Sequence, residues 1–187
     1  YINKIYQNSN LYDKKISKTY SNTFNYKPSP HLLSSLIKYQ KKKYKIEDFS
    51  LESIWTNNIN SKDYKKLNNF FWFFSLDLKS SRKAVQSLIV SWINNNNKYD
   101  NRSWDFDLTS KRVISWLSNH ELIYDNDREF KIKFDSIIQK QANHLLNEIK
   151  NSKIFENKMI GCAAIILTGL AYQNNKIYLD NGLSFLR

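Results

Sequence analysis

Arg112, Trp116 and His120 recur at four-residue intervals. On a helix that spacing lays a guanidinium, an indole and an imidazole along one stripe. Arg112 can grip a carboxylate or sulfate through paired N–H donors, and Trp116 can stack on a sugar face. The packing alternative is that Trp116 is core and Arg112 snorkels beside it. Trp104 falls within Lys98 to Asp107, a stretch with loop character, and is either a sugar platform or a plug that anchors the loop. Asn157 and Lys158 stand at the entry to the most apolar stretch, Met159 to Tyr172. An amide donates a hydrogen bond to a carboxylate without competing for its proton, and Lys158 adds positive charge beside it. Helix capping is the alternative role for Asn157. His144, next to Leu145 and Leu146, reads as a satisfied structural histidine, and His31 as a surface residue. Other chemistries lack their residues. One cysteine, Cys162, and 3 histidines give no metal cluster and no thiol–imidazole signature. No Gly-x-Ser-x-Gly and no phosphate loop occurs.

The elements that must position these groups read as helices. Only 3 Gly and 2 Pro occur in 187 residues, too few for the many turns of a sandwich or barrel, while 41% hydrophobic residues suffice for a core. Residues 1–30 read as an irregular leader on the domain surface, and 31–187 as the domain. His31 to Tyr44 is a predicted helix, and Ile46 to Asn57 a connection anchored by Phe49 and Trp55. Ser61 to Leu78 reads as one helix, apolar all round at Phe70 to Phe74 and therefore buried between others. Ser80 or Ser81 is placed to cap the next helix, whose stripe is Ala84, Val85, Leu88, Ile89, Trp92 and Ile93, ending at Asn94 to Asn97. Thr109 begins another helix with Val113, Trp116, Leu117 and His120 on one face. Asn126 and Glu129 have capping-box spacing before a long helix that reaches Ile149. A break at Ile154 to Asn157 precedes Met159 to Tyr172, and Ile177 to Arg187 starts a last helix. Helices of this kind joined by short loops predict an all-α fold of stacked antiparallel hairpins, an α/α toroid or an α-solenoid. No internal repeat favours the solenoid. The longest apolar run is too short for the ~20 residues of a membrane span.

Three segments in order carry a resemblance. The first is Phe70-Phe71-Trp72-Phe73-Phe74-Ser75-Leu76-Asp77-Leu78 with the following helix ending in Trp92-Ile93. The second is Ser103-Trp104-Asp105-Phe106-Asp107-Leu108-Thr109-Ser110-Lys111-Arg112 with Trp116 four residues on. The third is His144-Leu145-Leu146, then Glu156-Asn157 and the helix Ala164 to Leu170. Together, over about residues 65–187, they resemble the N-terminal helical domain of the heparinase II/III family of polysaccharide lyases. The resemblance implies an incomplete α/α toroid followed by a C-terminal β-sandwich domain in the full-length protein. It also implies β-elimination on uronic-acid polysaccharides, with no cofactor and no metal. Asn157 matches the family's carboxylate-neutralising Asn, and Arg112 matches the motif Arg. Many relatives have His after that Asn, where this chain has Lys158. The family's proton-transferring Tyr is expected beyond Arg187, so the chain is read as a fragment, inactive alone.

Charge fits an acidic partner: 29 Lys and Arg against 17 Asp and Glu give +12. The leading expectation is therefore a protein that cleaves or binds anionic glycans. Arg112, Trp104, Trp116, His120 and Lys158 are the expected substrate-binding residues and Asn157 the catalytic one. A non-catalytic glycan-binding or biosynthesis-associated helical domain is the first alternative. A helical nucleic-acid-binding protein, which rests on charge alone, is the second. The compartment stays open between periplasm and cytoplasm.

Overall fold

The computed structural model describes residues 2–20, 24, 61–75, 82–123, 127–172 and 176–186. The helix expected at 31–44, the connection at 46–57 and the caps at Ser80 or Ser81 lie outside them. The described residues are all-α; their one β feature is an isolated bridge between Phe24 and Tyr172. In chain order come α1 (Ile2–Gln7), α2 (Asn10–Ile16), α3 (Ser61–Asn68), a 3-10 turn (Phe71–Ser75), α4 (Arg82–Asn96), α5 (Phe106–Ser118), α6 (His120–Ile123), α7 (Arg128–Glu148), a 3-10 turn (Ile149–Asn151), α8 (Phe155–Ala171) and α9 (Lys176–Ser184).

The contacts fix how these helices run. Near the start of α4, Gln86 Nε2 donates to the Ile123 carbonyl; at its other end Asn96 O accepts from Trp104 Nε1. So α4 is antiparallel to α5. Helix α7 is antiparallel to α5 as well: Phe134 packs against Trp116, Gln141 meets Arg112, and His144 meets the Trp104 carbonyl. Helix α8 runs parallel to α5. The Phe106 ring at the start of α5 lies on Gly161, and the Phe24 ring bridges His120 and Tyr172 at the far ends. Helix α9 returns antiparallel along α8, with Leu179 on Gly169 and Ile166 on Gly182.

Local chemistry explains the boundaries. Asp105 caps α5, its Oδ1 accepting from the Asp107 and Leu108 N–H groups, so the helix starts three residues before the expected Thr109. Asp127 caps α7 by accepting from the Glu129 and Phe130 N–H groups, while Asn126 lies outside the described residues. The stripe of α4 is as expected, with Val85, Leu88, Ile89, Trp92 and Ile93 buried.

Two expectations are corrected. The helix expected at 61–78 breaks at Phe70, which takes φ 57°. A bulky residue adopts that left-handed conformation only when something compensates its strain. Here the compensation is burial of the ring among Phe73, Trp92 and Trp116, at 5.0, 6.3 and 4.9 Å. The Asn69 side chain then holds the turn by accepting from Phe71 N–H. The described start of the leader is helical rather than irregular: it carries α1 and α2, and Tyr12 and Ile16 belong to the main core. Ser9 caps α2 by accepting from Tyr12 N–H.

Candidate functional site

Asn157 and Lys158 occupy the first turn of α8, both partly exposed. The N-cap residue, Ile154, has no side chain able to accept from that turn, and Asn157 makes no capping bond. The opening N–H groups are thus left without side-chain acceptors, and with the helix dipole they favour an anion. Glu156 in the same turn is exposed and opposes one. Around them Ile154, Phe155 and Met159 are also exposed, Phe155 to 71%. One turn deeper, Gly161 lets the Phe106 ring come against the backbone, which ties this end of α8 to the start of α5.

The other residues singled out in the sequence lie inside. Arg112 is 0% exposed. Its Nε donates to Gln141 Oε1 at 2.8 Å, Nη1 to the Asn68 carbonyl at 2.9 Å, and Nη2 to Ser103 O and Thr109 Oγ1 at 3.1 and 3.2 Å. The guanidinium lies 4.0 Å from the Trp92 ring centre. Neutral acceptors and a π face hold the charge, and burial lowers its pKa to about 9. Trp116 packs in the aromatic core with Trp92 at 5.4 Å. Trp104 is buried, its indole N–H spent on Asn96 O. Its position is that of the loop anchor. His120 is buried too, and Asn119, with φ −101° and ψ 26°, ends α5 before it. The helical stripe of Arg112, Trp116 and His120 is therefore interrupted, and none of the three presents a surface to a ligand. Lys158 and Asn157 are the members of the set that reach solvent.

No family model, curated protein or solved structure matches this chain. What can be said of the site therefore comes from its own geometry.

A second group of polar residues was not legible beforehand. Tyr12 Oη lies 2.6 Å from His144 Nδ1, and His144 Nε2 lies 2.8 Å from the Trp104 carbonyl. A carbonyl only accepts, so Nε2 carries the proton, and Nδ1 accepts from the Tyr12 hydroxyl. Burial lowers the His144 pKa to about 4, which keeps the ring neutral, and raises that of Tyr12. His144 is the satisfied structural histidine that its setting suggested. The neighbouring α7 residues also turn to the N-terminal segment. Gln139 Oε1 accepts from Tyr20 N–H, Lys140 pairs with Asp13 at 2.6 Å, and Asn143 Nδ2 donates to the Ile16 and Lys18 carbonyls. Among the described residues no group of His, Cys, Asp and Glu is placed to hold a metal ion. Cys162 is buried, and its thiol pKa is raised by that burial.

Proposed function

We propose that this chain is the helical part of a polysaccharide lyase-like protein acting on uronic-acid-containing anionic glycans. Its hairpins would form part of an incomplete α/α toroid, joined in the full protein to a β-sandwich domain. The observation that carries the reading is the alternation of directions: α5 and α8 lie side by side and parallel, while α4 and α7 run back antiparallel. Successive hairpins of a toroid stack in that way. A solenoid shares the alternation, and the Ser103 to Trp116 motif is what favours the toroid.

In this reading Asn157 donates its amide to the sugar carboxylate, and Lys158 and the free N–H groups of the α8 first turn add positive potential. Neutralising that carboxylate makes the C5 proton acidic and steadies the enolate formed when a base removes it. The C4–O4 bond then breaks as the C4–C5 double bond forms, and an acid protonates the departing O4. Arg112, Trp104, Trp116 and His120 support the site indirectly by knitting α4, α5 and α7 together. Tyr12 and Tyr178 are not assigned the proton transfer, since both are buried in hydrogen bonds.

Calorimetric titration with alginate- and heparin-derived oligosaccharides tests the reading. Acidic oligosaccharides should bind and neutral dextrins should not. Asn157→Ala with Lys158→Ala should weaken binding by roughly tenfold or more, the scale of a charge-assisted hydrogen bond. Equal affinity for neutral and acidic sugars, or no binding to either, sinks it. A second reading, glycan binding without cleavage, is favoured by Lys158 standing where many lyases of this type have His. Absorbance of unsaturated uronate separates the two, since only the lyase produces it.

A further inference from the structure

The N-terminal helices present a basic outer face that also bears exposed aliphatic side chains. On α2, Tyr12 and Ile16 point into the core. At 3.6 residues per turn Lys14 lies opposite them, Leu11 and Lys15 share the adjoining flank, and Lys18 follows just past the helix end; all four are exposed. Leu11 is 71% exposed and stands among these lysines. Helix α1 adds the exposed Lys4 and Ile5, the latter 61% exposed. The only acid in residues 2–20 is Asp13, and it is neutralised by Lys140 of α7. The outer face therefore carries positive charge and bare aliphatic groups, and its lysines have no carboxylate partner among the described residues.

We propose that this face of α1 and α2 docks on an anionic lipid surface. Lysines alone would suit any polyanion. Leu11 and Ile5 favour lipid over a wholly hydrated polyanion, because a branched aliphatic side chain gains by entering the acyl boundary and offers no flat face on which a sugar ring could stack. Their lysine neighbours supply the attraction to acidic headgroups, each worth roughly a fivefold change in partitioning. The docking would be peripheral: among the described residues no helix is long and apolar enough to cross a membrane. On its inner side the segment is hydrogen-bonded and ion-paired to Gln139, Lys140, Asn143 and His144 of α7, so it docks as a formed surface.

Co-sedimentation with vesicles tests this surface separately from the α8 site. The full chain is mixed with pure phosphatidylcholine vesicles, with vesicles containing one-third phosphatidylglycerol, and in parallel passed over heparin. The expected result is binding to the acidic vesicles only. Lys14→Gln with Lys15→Gln should weaken it by roughly twenty-five-fold. Leu11→Ser with Ile5→Ser should weaken it by roughly tenfold or more while leaving heparin retention unchanged. These residues are exposed, and an unchanged thermal midpoint shows that the variants remain folded. The proposal is overturned if neutral vesicles bind equally well, if the serine variants bind vesicles as the parent does, or if only heparin is retained. Asn157→Ala should not alter vesicle binding, so a failure of the glycan reading leaves this one standing.

Discussion

His144 links three distant pieces of chain with one ring, receiving the Tyr12 hydroxyl and donating to the Trp104 carbonyl. Its folded pKa, about 4, lies below the ordinary 6.5 because burial penalises the imidazolium. Between those values the unfolded chain binds the proton and the folded chain does not. Stability is therefore complete above about pH 6.5 and falls as pH drops toward 4, by about 3 kcal/mol over the window. Urea melts at steps across that range should show the loss, and His144→Gln should flatten that part of the profile. A parent profile as flat as the variant's would mean that the imidazole is solvated. The pairing itself was not readable in advance: Tyr12 and His144 are 132 residues apart, and neither carries a local pattern that points to the other. Arg112 teaches the same lesson. Its spacing from Trp116 was visible, but its acceptors at Asn68, Ser103 and Gln141 come from elsewhere in the chain.

Among the elements, α8 depends on small residues where its neighbours cross. A Cβ on Gly169 would lie 2.9 Å from the Leu179 backbone nitrogen and 2.7 Å from its Cγ. Backbone cannot yield as a side-chain tip can. Gly169→Ala should therefore push α9 off α8 and cost about 1–3 kcal/mol, against the small gain in helix propensity that alanine brings. Thermal denaturation reads this directly, and an unchanged or higher midpoint would mean that α9 is not seated there. The apolar patterns of α4, α7 and α8 were legible because each helix buries a face through residues a few positions apart. The break at Phe70 was not, because five successive aromatic residues satisfy a helical pattern and a turn equally well. Burial of the Phe70 ring against Trp116 settles which one forms.

Over the whole molecule, 29 basic against 17 acidic side chains leave a field that opposes compaction. Salt bridges between described residues are few, and pairs such as Lys133 with Glu129 lie at the surface, where they add little. Raising ionic strength from roughly 0.01 to 0.1 M shortens the screening length from about 30 to 10 Å. The melting midpoint should then rise, by about 2–4 °C for each kcal/mol of repulsion removed. A fall in the midpoint would show that attractive pairs outweigh the net charge. The same field makes an acidic partner attractive to both candidate surfaces, the start of α8 and the outer face of α2.

Composition and periodicity by themselves pointed to the helical fold that the described residues show, to where most of their central helices lie, and to a strongly basic chain. Those properties are sums over residues or patterns within one helix. Tertiary structure alone decided that Arg112, Trp104, Trp116 and His120 are interior, that Asn157 and Lys158 reach solvent, and that the N-terminal helices are clamped to α7. Those outcomes depend on which faces meet across the chain. A buried charge is tolerated only where acceptors from several helices converge on it, and that convergence exists only once the helices have packed.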